Sequence, residues 1–339
     1  MYSIDPNSEN SLNDWKISAD QLVYWGEHFL PQYEPFFIKN ENIVNQLLNQ
    51  GFIILTQAEF YDTYTSFYTD FGFVYDLWEI PYDTYVWICN SDQRAQVSSE
   101  LLQSIFQEQI FLKRGQIYKE DELKQNLIPS DEYSSIVENS SNQFVYDHFH
   151  YLVLTFDLWK AFSLNVKNLW IKKWALQQIQ DHPVHIKNIE SISIHPLIKS
   201  RIKQYNGSFA NHCGANCFAA TLALASSAEQ TESIIDLWLH QGPFLRSVQA
   251  LNYRQVLTIT DIDQLRLIKS LDILIWSNTD NQAIHASLCI APDHVFTKMG
   301  QSWVQPWFVT TIASVFNYAD VIQNGGQIKV YRKEEFMTV

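Results

Sequence analysis

Two side chains in the C-terminal half of the sequence have the chemistry of a nucleophile and its base, Cys217 and His285. Cys217 follows the polar, glycine-containing segment 211–216 and begins an apolar, alanine-rich segment typical of a buried helix. A thiol at the start of a helix meets unpaired backbone N–H groups and the positive end of the helix dipole, and both favour the thiolate. The sequence therefore predicts a nucleophilic cysteine at position 217.

His285 lies 68 residues after Cys217 (285 − 217), at the start of a strand predicted over residues 284–290. Strand alternation would put His285, Ser287 and Cys289 on one face. A histidine that opens a central strand and faces a helix N-terminus would hold its imidazole rigidly against a thiol. We therefore predict covalent acyl transfer, with Cys217 as the nucleophile and His285 as the base that activates it.

The return strand after a tight turn should bring residues 297–299 opposite His285 and supply a third group that orients the imidazole. Thr297 is the candidate, although a hydroxyl would stabilise an imidazolium less than a carboxylate does. Asp293 and Gln301 stay candidates if the register differs by a few residues. Lys298 is disfavoured, because its charge would oppose that of an imidazolium.

Acyl transfer also needs hydrogen-bond donors for the oxyanion of the tetrahedral intermediate. Backbone N–H groups at the start of the predicted helix could supply them, and each such donor is commonly worth about 3–4 kcal/mol of transition-state stabilisation. Asn211, six residues before Cys217, is a candidate side-chain donor, and Asn216 is an auxiliary candidate beside the nucleophile.

The elements that must position these residues follow one another in a definite order. The C-terminal half predicts helices over residues 217–227 and 233–239, followed by strands over residues 271–276, 284–290, 295–298 and 327–331. This order resembles that of the papain-like thiol hydrolases of the NlpC/P60 type. Those proteins have a Cys at a helix start, a strand with a pattern such as Gly-Asp-Leu-Val-Phe, a strand that opens with the catalytic His, and a return strand with a third polar residue.

The resemblance covers residues 206–332 and implies a Cys-bearing helix packed on an antiparallel sheet. The matching segments are Asn216 to Ala219, Leu271 to Trp276, His285 to Ile290 and Val295 to Lys298. The chain departs from the family pattern at two places. The family usually has Asp-Cys-Ser-Gly where this chain has Asn-Cys-Phe-Ala, and it usually has His, Asn, Glu or Gln at the position of Thr297.

Three other interpretations of the cysteines stay open. Cys213 is the rival nucleophile, because His212-Cys213-Gly-Ala before an apolar helix resembles the Cys-Gly start of bacteriocin-processing peptidases. Cys213, Cys217 and His212 could instead bind zinc, but no second Cys/His pair stands at a zinc-finger spacing, so we predict no metal and no cofactor. Cys217 could also be a small buried residue of a core helix, in a thiol-enzyme fold used as a binding module.

The composition restricts the classes of partner. The net charge is −14, from 37 acidic and 23 basic residues, which opposes binding to nucleic acid or to anionic lipid. The first residues lack a signal-peptide pattern, and no uncharged apolar run approaches the ~18 residues of a membrane span. We therefore predict a cytoplasmic protein with a small-molecule, peptide or acyl-donor substrate and with no nucleic-acid or membrane partner. The oligomeric state stays open.

The length of 339 residues allows two domains, and we predict an α+β protein with one internal boundary between Asp181 and Tyr205. Residues 1–190 would form a mixed N-terminal region of unknown role, and residues 191–339 the thiol-enzyme domain. The polar stretch 129–142 predicts an exposed loop or linker. Four cysteines are too few for a disulfide scaffold in so long a chain, and Cys89 and Cys289 are predicted to be packed core thiols.

Overall fold

The computed structural model describes residues 15–77, 80–126, 128–138, 140–179, 185–186 and 188–336. Their contacts divide the chain into two compact units. Within the described residues, unit 1 is Ser18–Gln177, and unit 2 consists of the residues after Gln177 together with residues 15–17. Unit 1 ends 13 residues before residue 190, the last residue of the N-terminal region predicted from the sequence (190 − 177). Both units combine helices with antiparallel sheets, so the protein is of the α+β class.

Unit 1 contains two three-stranded antiparallel sheets, with strand orders β1-β3-β2 and β4-β6-β5. The strands are β1 (Glu34–Ile38), β2 (Ile54–Thr56), β3 (Tyr85–Cys89), β4 (Ile117–Lys119), β5 (Gln143–Tyr146) and β6 (Phe149–Val153). The helices are α1 (Ala19–Glu27), α2 (Glu41–Asn49), α3 (Gln57–Thr63), α4 (Thr65–Phe71), α5 (Ser91–Arg94), α6 (Ser99–Leu112), α7 (Glu120–Asn126), α8 (Ser130–Ile136), α9 (Phe156–Ala161) and α10 (Leu164–Ile179).

The polar stretch 129–142 contains a helix, α8, so the prediction of an exposed loop was wrong for half of its length. Tyr133 and Val137 are almost fully buried, with exposed fractions of 1% and 0%. Residues four apart lie on the same helical face, so these two side chains are enough to attach the segment to the core. Their apolar contribution was hidden in the sequence by the serines and acidic residues around them.

Unit 2 is built on one six-stranded antiparallel sheet with the strand order β11-β10-β9-β8-β12-β7. Its strands are β7 (Tyr253–Ile259), β8 (Ile273–Ser277), β9 (Ala283–Ala291), β10 (His294–Lys298), β11 (Trp307–Thr311) and β12 (Gln327–Lys333). Its helices are α11 (Pro196–Tyr205), α12 (Cys217–Ala225), α13 (Ala228–Ile235), α14 (Gln241–Ala250) and α15 (Ile312–Val315). Short 3₁₀ segments cover Ile189–Ser191, Ile262–Leu267, Tyr318–Asp320 and Glu334–Phe336.

Strand alternation gives the sheet of unit 2 two buried faces. Helix α12 packs on one face, where it shares a core with Ala286 and Leu288 of β9 and with Phe296 of β10. Trp276 and Cys289 belong to the core on the other face, together with α15. In the part of the chain that the structure describes, no helix is both long enough and apolar enough to span a membrane.

Candidate functional site

The loop before α12 has a conformation that fixes where Cys217 begins the helix. Gly214 has a φ of 119°, which a residue with a side chain rarely adopts, and its N–H donates to the carbonyl of Gln301 at 2.8 Å. Asn216 is the N-cap, with Oδ1 accepting from the N–H of Ala219 at 3.0 Å. Its Nδ2 donates to the carbonyl of Leu239 at 2.8 Å, so both ends of this amide are engaged in holding the helix start.

Cys217 is the first residue of α12 and is 8% exposed. Its sulfur receives backbone N–H groups from Ala286 and Phe218, and the positive charge of Lys298 acts on it from β10. All three favour the thiolate, but burial acts more strongly in the opposite direction and raises the pKa of Cys217 to about 11. The sequence-based expectation of a net shift towards thiolate was wrong for the resting protein, because helix position alone does not reveal desolvation.

His285 lies on β9 and is fully buried. Its Nε2 is 3.0 Å from Oγ1 of Thr297 and 3.3 Å from Oγ of Ser287, and the Ser287 hydroxyl donates to Oγ1 of Thr297 at 2.9 Å. The ring stacks on Tyr318, with centroids 4.1 Å apart, and Trp276 meets it edge-on at 5.1 Å. These contacts fix the position and the plane of the imidazole.

The other ring nitrogen of His285, Nδ1, is buried without a hydrogen-bond partner among the described residues. A buried polar atom of this kind is uncommon in proteins and is costly, which makes it a candidate for an atom with a chemical role. Burial lowers the pKa of His285 to about 3, so the imidazole is neutral at physiological pH. Because Nε2 is engaged by hydroxyl groups, Nδ1 is the nitrogen left to accept a proton.

Cys217 and His285 approach the same point of β9, from different directions. The N–H of Ala286, the residue after His285, donates towards the Cys217 sulfur. Alternation sends the side chains of His285 and Ser287 to the sheet face that carries Trp276, whereas α12 packs on the Ala286 face, so the prediction that the imidazole faces the start of the helix was wrong for this arrangement. The structure contains no hydrogen bond between thiol and imidazole, since Nδ1 is unpaired. Proton transfer between them therefore requires the thiol or the ring to move from this resting arrangement.

The arrangement combines a buried thiol, two backbone donors on its sulfur and a neutral imidazole anchored at one nitrogen. It is chemically suited to nucleophilic attack on a carbonyl group. Comparison of the chain with known protein families, characterised proteins and solved structures finds no match.

The other predicted site residues have different surroundings. Cys213 is half-buried in the loop before α12, and Asn211 is exposed in the same loop. Asp293 lies at the turn between β9 and β10, where its carboxylate contacts Nδ1 of His294 at 2.5 Å. Cys289 is fully buried and donates to the carbonyl of Ala291, as expected of a core thiol.

Lys298 was rejected as a third group from the sequence, yet it is fully buried and faces the start of α12. It shares a face of β10 with Phe296, which packs in the same core as Cys217. Alternation from Phe296 could have indicated this orientation before the structure. Its burial could not be read from the sequence, because a lysine that ends a strand is usually exposed.

No group of three or more His, Cys, Asp or Glu side chains in the described part of the chain is arranged to hold a metal ion. The zinc interpretation of His212, Cys213 and Cys217 therefore has no further ligand in support.

The buried neutral His285 should make the stability of the protein depend on pH. Its folded-state pKa of about 3 lies below the ordinary value of 6.5, so the unfolded chain binds more protons between these limits. Stability contributed by the neutral ring is therefore lost as the pH falls from about 6.5 towards 3. We expect urea unfolding midpoints measured between pH 7.5 and 4.5 to fall more steeply for the wild type than for His285→Gln. Equal slopes would show that His285 is not buried in its neutral form.

Proposed function

We propose that the protein catalyses cysteine-dependent acyl transfer through a covalent acyl-enzyme, in a domain of the papain-like NlpC/P60 type. Cys217 would be the nucleophile, His285 the base and Thr297 the group that orients the imidazole. The observation that carries the proposal is the convergence on one point of β9 of a helix-start thiol and an anchored imidazole. Backbone N–H groups reach the sulfur at this point, and Nδ1 of the imidazole, whose side chain lies on the other face of β9, is buried without a hydrogen-bond partner among the described residues.

The first step would follow a movement of the thiol or of the ring that brings the two together: the Cys217 sulfur attacks a carbonyl carbon as its proton passes to Nδ1 of His285. The S–H bond breaks, N–H and S–C bonds form, and the carbonyl oxygen becomes an oxyanion. Backbone N–H groups of Cys217 and Phe218 at the start of α12 would serve as oxyanion donors once the sulfur, which the Phe218 N–H contacts at rest, has bonded to the carbonyl carbon. The oxyanion then re-forms the C=O bond, the C–N or C–O bond to the leaving group breaks, and the leaving group takes the proton from Nδ1, so that a thioester on Cys217 remains.

A neutral resting pair suits this concerted transfer. With the thiol pKa near 11 and the imidazole pKa near 3, a separated thiolate and imidazolium would be unfavourable in so dry a site. Proton transfer to His285 therefore accompanies attack on the substrate instead of preceding it. Nε2 can donate to the hydroxyl of Thr297 while Nδ1 accepts, which fixes the tautomer that the reaction needs.

The substrate class is an amide, peptide or ester carbonyl, presented by a small molecule, a peptide or an acyl donor. Water as the acceptor gives hydrolysis, and an amine gives acyl transfer, for example in a biosynthetic pathway. The same residues serve both outcomes, which differ in whether water is excluded from the acyl-enzyme. We propose the cytoplasm as the compartment, where reducing conditions keep both Cys213 and Cys217 as thiols.

The proposal is tested by trapping the acyl-enzyme. The protein is incubated with activated esters and thioesters of varied chain length, and intact mass is recorded. Wild type and Cys213→Ser should each gain one acyl group, and Cys217→Ser should gain none. The two serine variants are matched controls. Each replaces one sulfur atom by oxygen, at Cys213 in the loop before α12 or at Cys217 at the start of the helix.

If Cys213→Ser is no longer acylated and Cys217→Ser still is, the nucleophile is Cys213 and not Cys217. If no donor modifies either thiol, the domain is instead a binding module with a core cysteine. With a donor that does label the protein, added amines show the acceptor, since transfer yields the amide and hydrolysis yields the free acid.

A further inference from the structure

Lys298 is held in an unusual environment for a lysine. Its side chain has no exposed surface, and its Nζ donates to the carbonyls of Gly300 at 2.8 Å and Ser302 at 2.6 Å. An ammonium group has three donors, and these two carbonyls occupy two of them. The third position of Nζ has no hydrogen-bond partner among the described residues. A neutral amine held by the same two carbonyls would have its lone pair at this third position.

The charged and titratable groups around Lys298 come from three other elements. Cys213 from the loop, Cys217 from α12 and Asp236 from the segment after α13 each act electrostatically on its ammonium, in that order of strength. His212 acts in turn on Asp236. Burial opposes them and lowers the pKa of Lys298 to about 7, which leaves the group able to gain or lose a proton at physiological pH.

The thiolate of Cys217 needs a positive charge nearby, and His285 is poorly suited to be that charge. The imidazole is surrounded by Trp276, Tyr318 and two hydroxyl groups, none of which is an anion, and no described carboxylate contacts it. An imidazolium there would be a buried charge without a counter-ion, which is strongly disfavoured. Lys298 lies on the α12 side of the sheet, where β10 packs against α12, and its positive charge lowers the pKa of Cys217.

We propose that Lys298 is a positioning residue whose ammonium group stabilises the thiolate of Cys217. This inference rests on the proposed function only in taking Cys217 as the nucleophile. Before substrate arrives, the pair has two forms, thiol with amine and thiolate with ammonium. They differ by one proton, which leaves sulfur as the S–H bond breaks and joins the Nζ lone pair as an N–H bond forms. No other reactant is required.

In this arrangement His285 and Lys298 have separate roles. Lys298 sets the fraction of Cys217 that is thiolate in the free protein. His285 accepts the proton of the thiol form during attack and returns it to the leaving group. The carbonyls of Gly300 and Ser302 hold the ammonium in place, and the Gly214 N–H bond to Gln301 ties that segment to the loop before Cys217.

The test uses alkylation of the thiol, which needs no acyl chemistry. Rates of carbamidomethylation of Cys217 by iodoacetamide are measured from pH 5 to 11 by peptide mapping, in a Cys213→Ser background. Lys298→Met removes the charge and keeps the chain length, and Lys298→Arg keeps the charge. Lys329→Met, on strand β12, is the matched control for loss of a lysine from the same sheet. Unfolding midpoints of all variants are recorded alongside.

We expect Lys298→Met to slow alkylation at pH 7 by at least about tenfold, because a nearby opposite charge lowers an acid's pKa by about 1–3 units. The two rates should approach each other as the pH rises above the Lys298 pKa of about 7, because the amine then carries no charge. Lys298→Arg and Lys329→Met should stay within about threefold of the wild type, since both leave a cation beside the thiol.

An unchanged profile in Lys298→Met, with the fold intact, would overturn the inference. So would a slowing that is equal at every pH, which is the result of a merely structural role. If Lys298→Met does not fold, Lys298→Gln supplies the neutral variant. A profile shifted in His285→Gln and unshifted in both neutral Lys298 variants would assign the charge to the imidazole instead. A wild-type protein that alkylates as expected but accepts no acyl donor would refute the proposed function and leave this inference standing.

Discussion

Replacement of His285 by Gln should lower the rate of Cys217 acylation by about 10²–10⁴-fold, the usual contribution of a positioned general base. Glutamine keeps a polar side chain of similar length in the site, but it cannot take a proton at neutral pH. His285→Ala is less suitable, because His285 is fully buried between Tyr318 and Trp276 and its removal would leave a cavity. The rate is read as acyl-enzyme mass against time with the best donor.

The pH dependence of that rate separates a lost base from a damaged site. In the wild type the base is neutral at all pH values well above its pKa of about 3, so the rate should have no acid limb near pH 6.5. In His285→Gln the thiol loses its proton without the imidazole, and the rate should rise with pH towards the thiol pKa of about 11. A parallel pH profile at a lower rate would indicate misplacement of Cys217 rather than loss of the base.

His294→Gln is the matched control for this experiment. His294 opens β10, on the strand next to His285, and its Nδ1 contacts Asp293 at the turn. Its replacement should leave acylation within about twofold of the wild type, as expected of a substitution outside the reacting groups. An acylation rate in His285→Gln equal to that of the wild type would remove His285 from the mechanism.

The order of elements around the site could be predicted from the sequence because each has a strong local pattern. Helix α12 begins at Cys217 as predicted, since Asn216 is a good N-cap and the alanine-rich segment favours a helix. The hairpin of β9 and β10 was predicted from its alternation and from the turn residues between the strands. The contact between Thr297 and His285 lies within the range of positions that this register allowed.

Two strands of unit 2 were not predicted. β7 has a partly exposed, polar sequence, and it is a strand because β12 pairs with it along its length. β11 follows the irregular segment 299–306 and is fixed by pairing with β10. In both cases the decisive interaction is a backbone ladder with a strand distant in the sequence, which local propensity does not contain.

The electrostatics of the site were the least predictable part. Position at a helix start correctly indicated donors on the Cys217 sulfur, but the direction of the pKa shift depends on burial by residues far along the chain. The electrostatic role of Lys298 also depends on its burial, which the sequence does not show. Its burial and its two carbonyl partners arise only when β10 and the segment that follows it fold against α12.

Asp272, at the start of β8, should be the residue whose pairing most affects the stability of unit 2. It is fully buried, and its two carboxylate oxygens accept from Nε and Nη2 of Arg332 at 2.8 and 2.7 Å. The N–H of Lys269 donates to the same carboxylate at 2.8 Å, and the carbonyl of Asp272 accepts from the N–H of Cys289. This ion pair therefore joins β8 to β12, while the Asp272 backbone bonds to the strand that carries His285.

Removal of Arg332 leaves the Asp272 carboxylate buried without its counter-ion, so Arg332→Ala should cost about 3–5 kcal/mol of the free energy of unfolding. The control is Arg254→Ala, which breaks an exposed ion pair with Glu334 in the same unit and should cost at most about 1 kcal/mol. Urea unfolding followed by circular dichroism measures both. Adding Asp272→Asn to Arg332→Ala should recover part of the loss, because the uncompensated charge is then gone. Equal losses in the two arginine variants, or no recovery in the double variant, would show that the pair contributes no more than a surface contact.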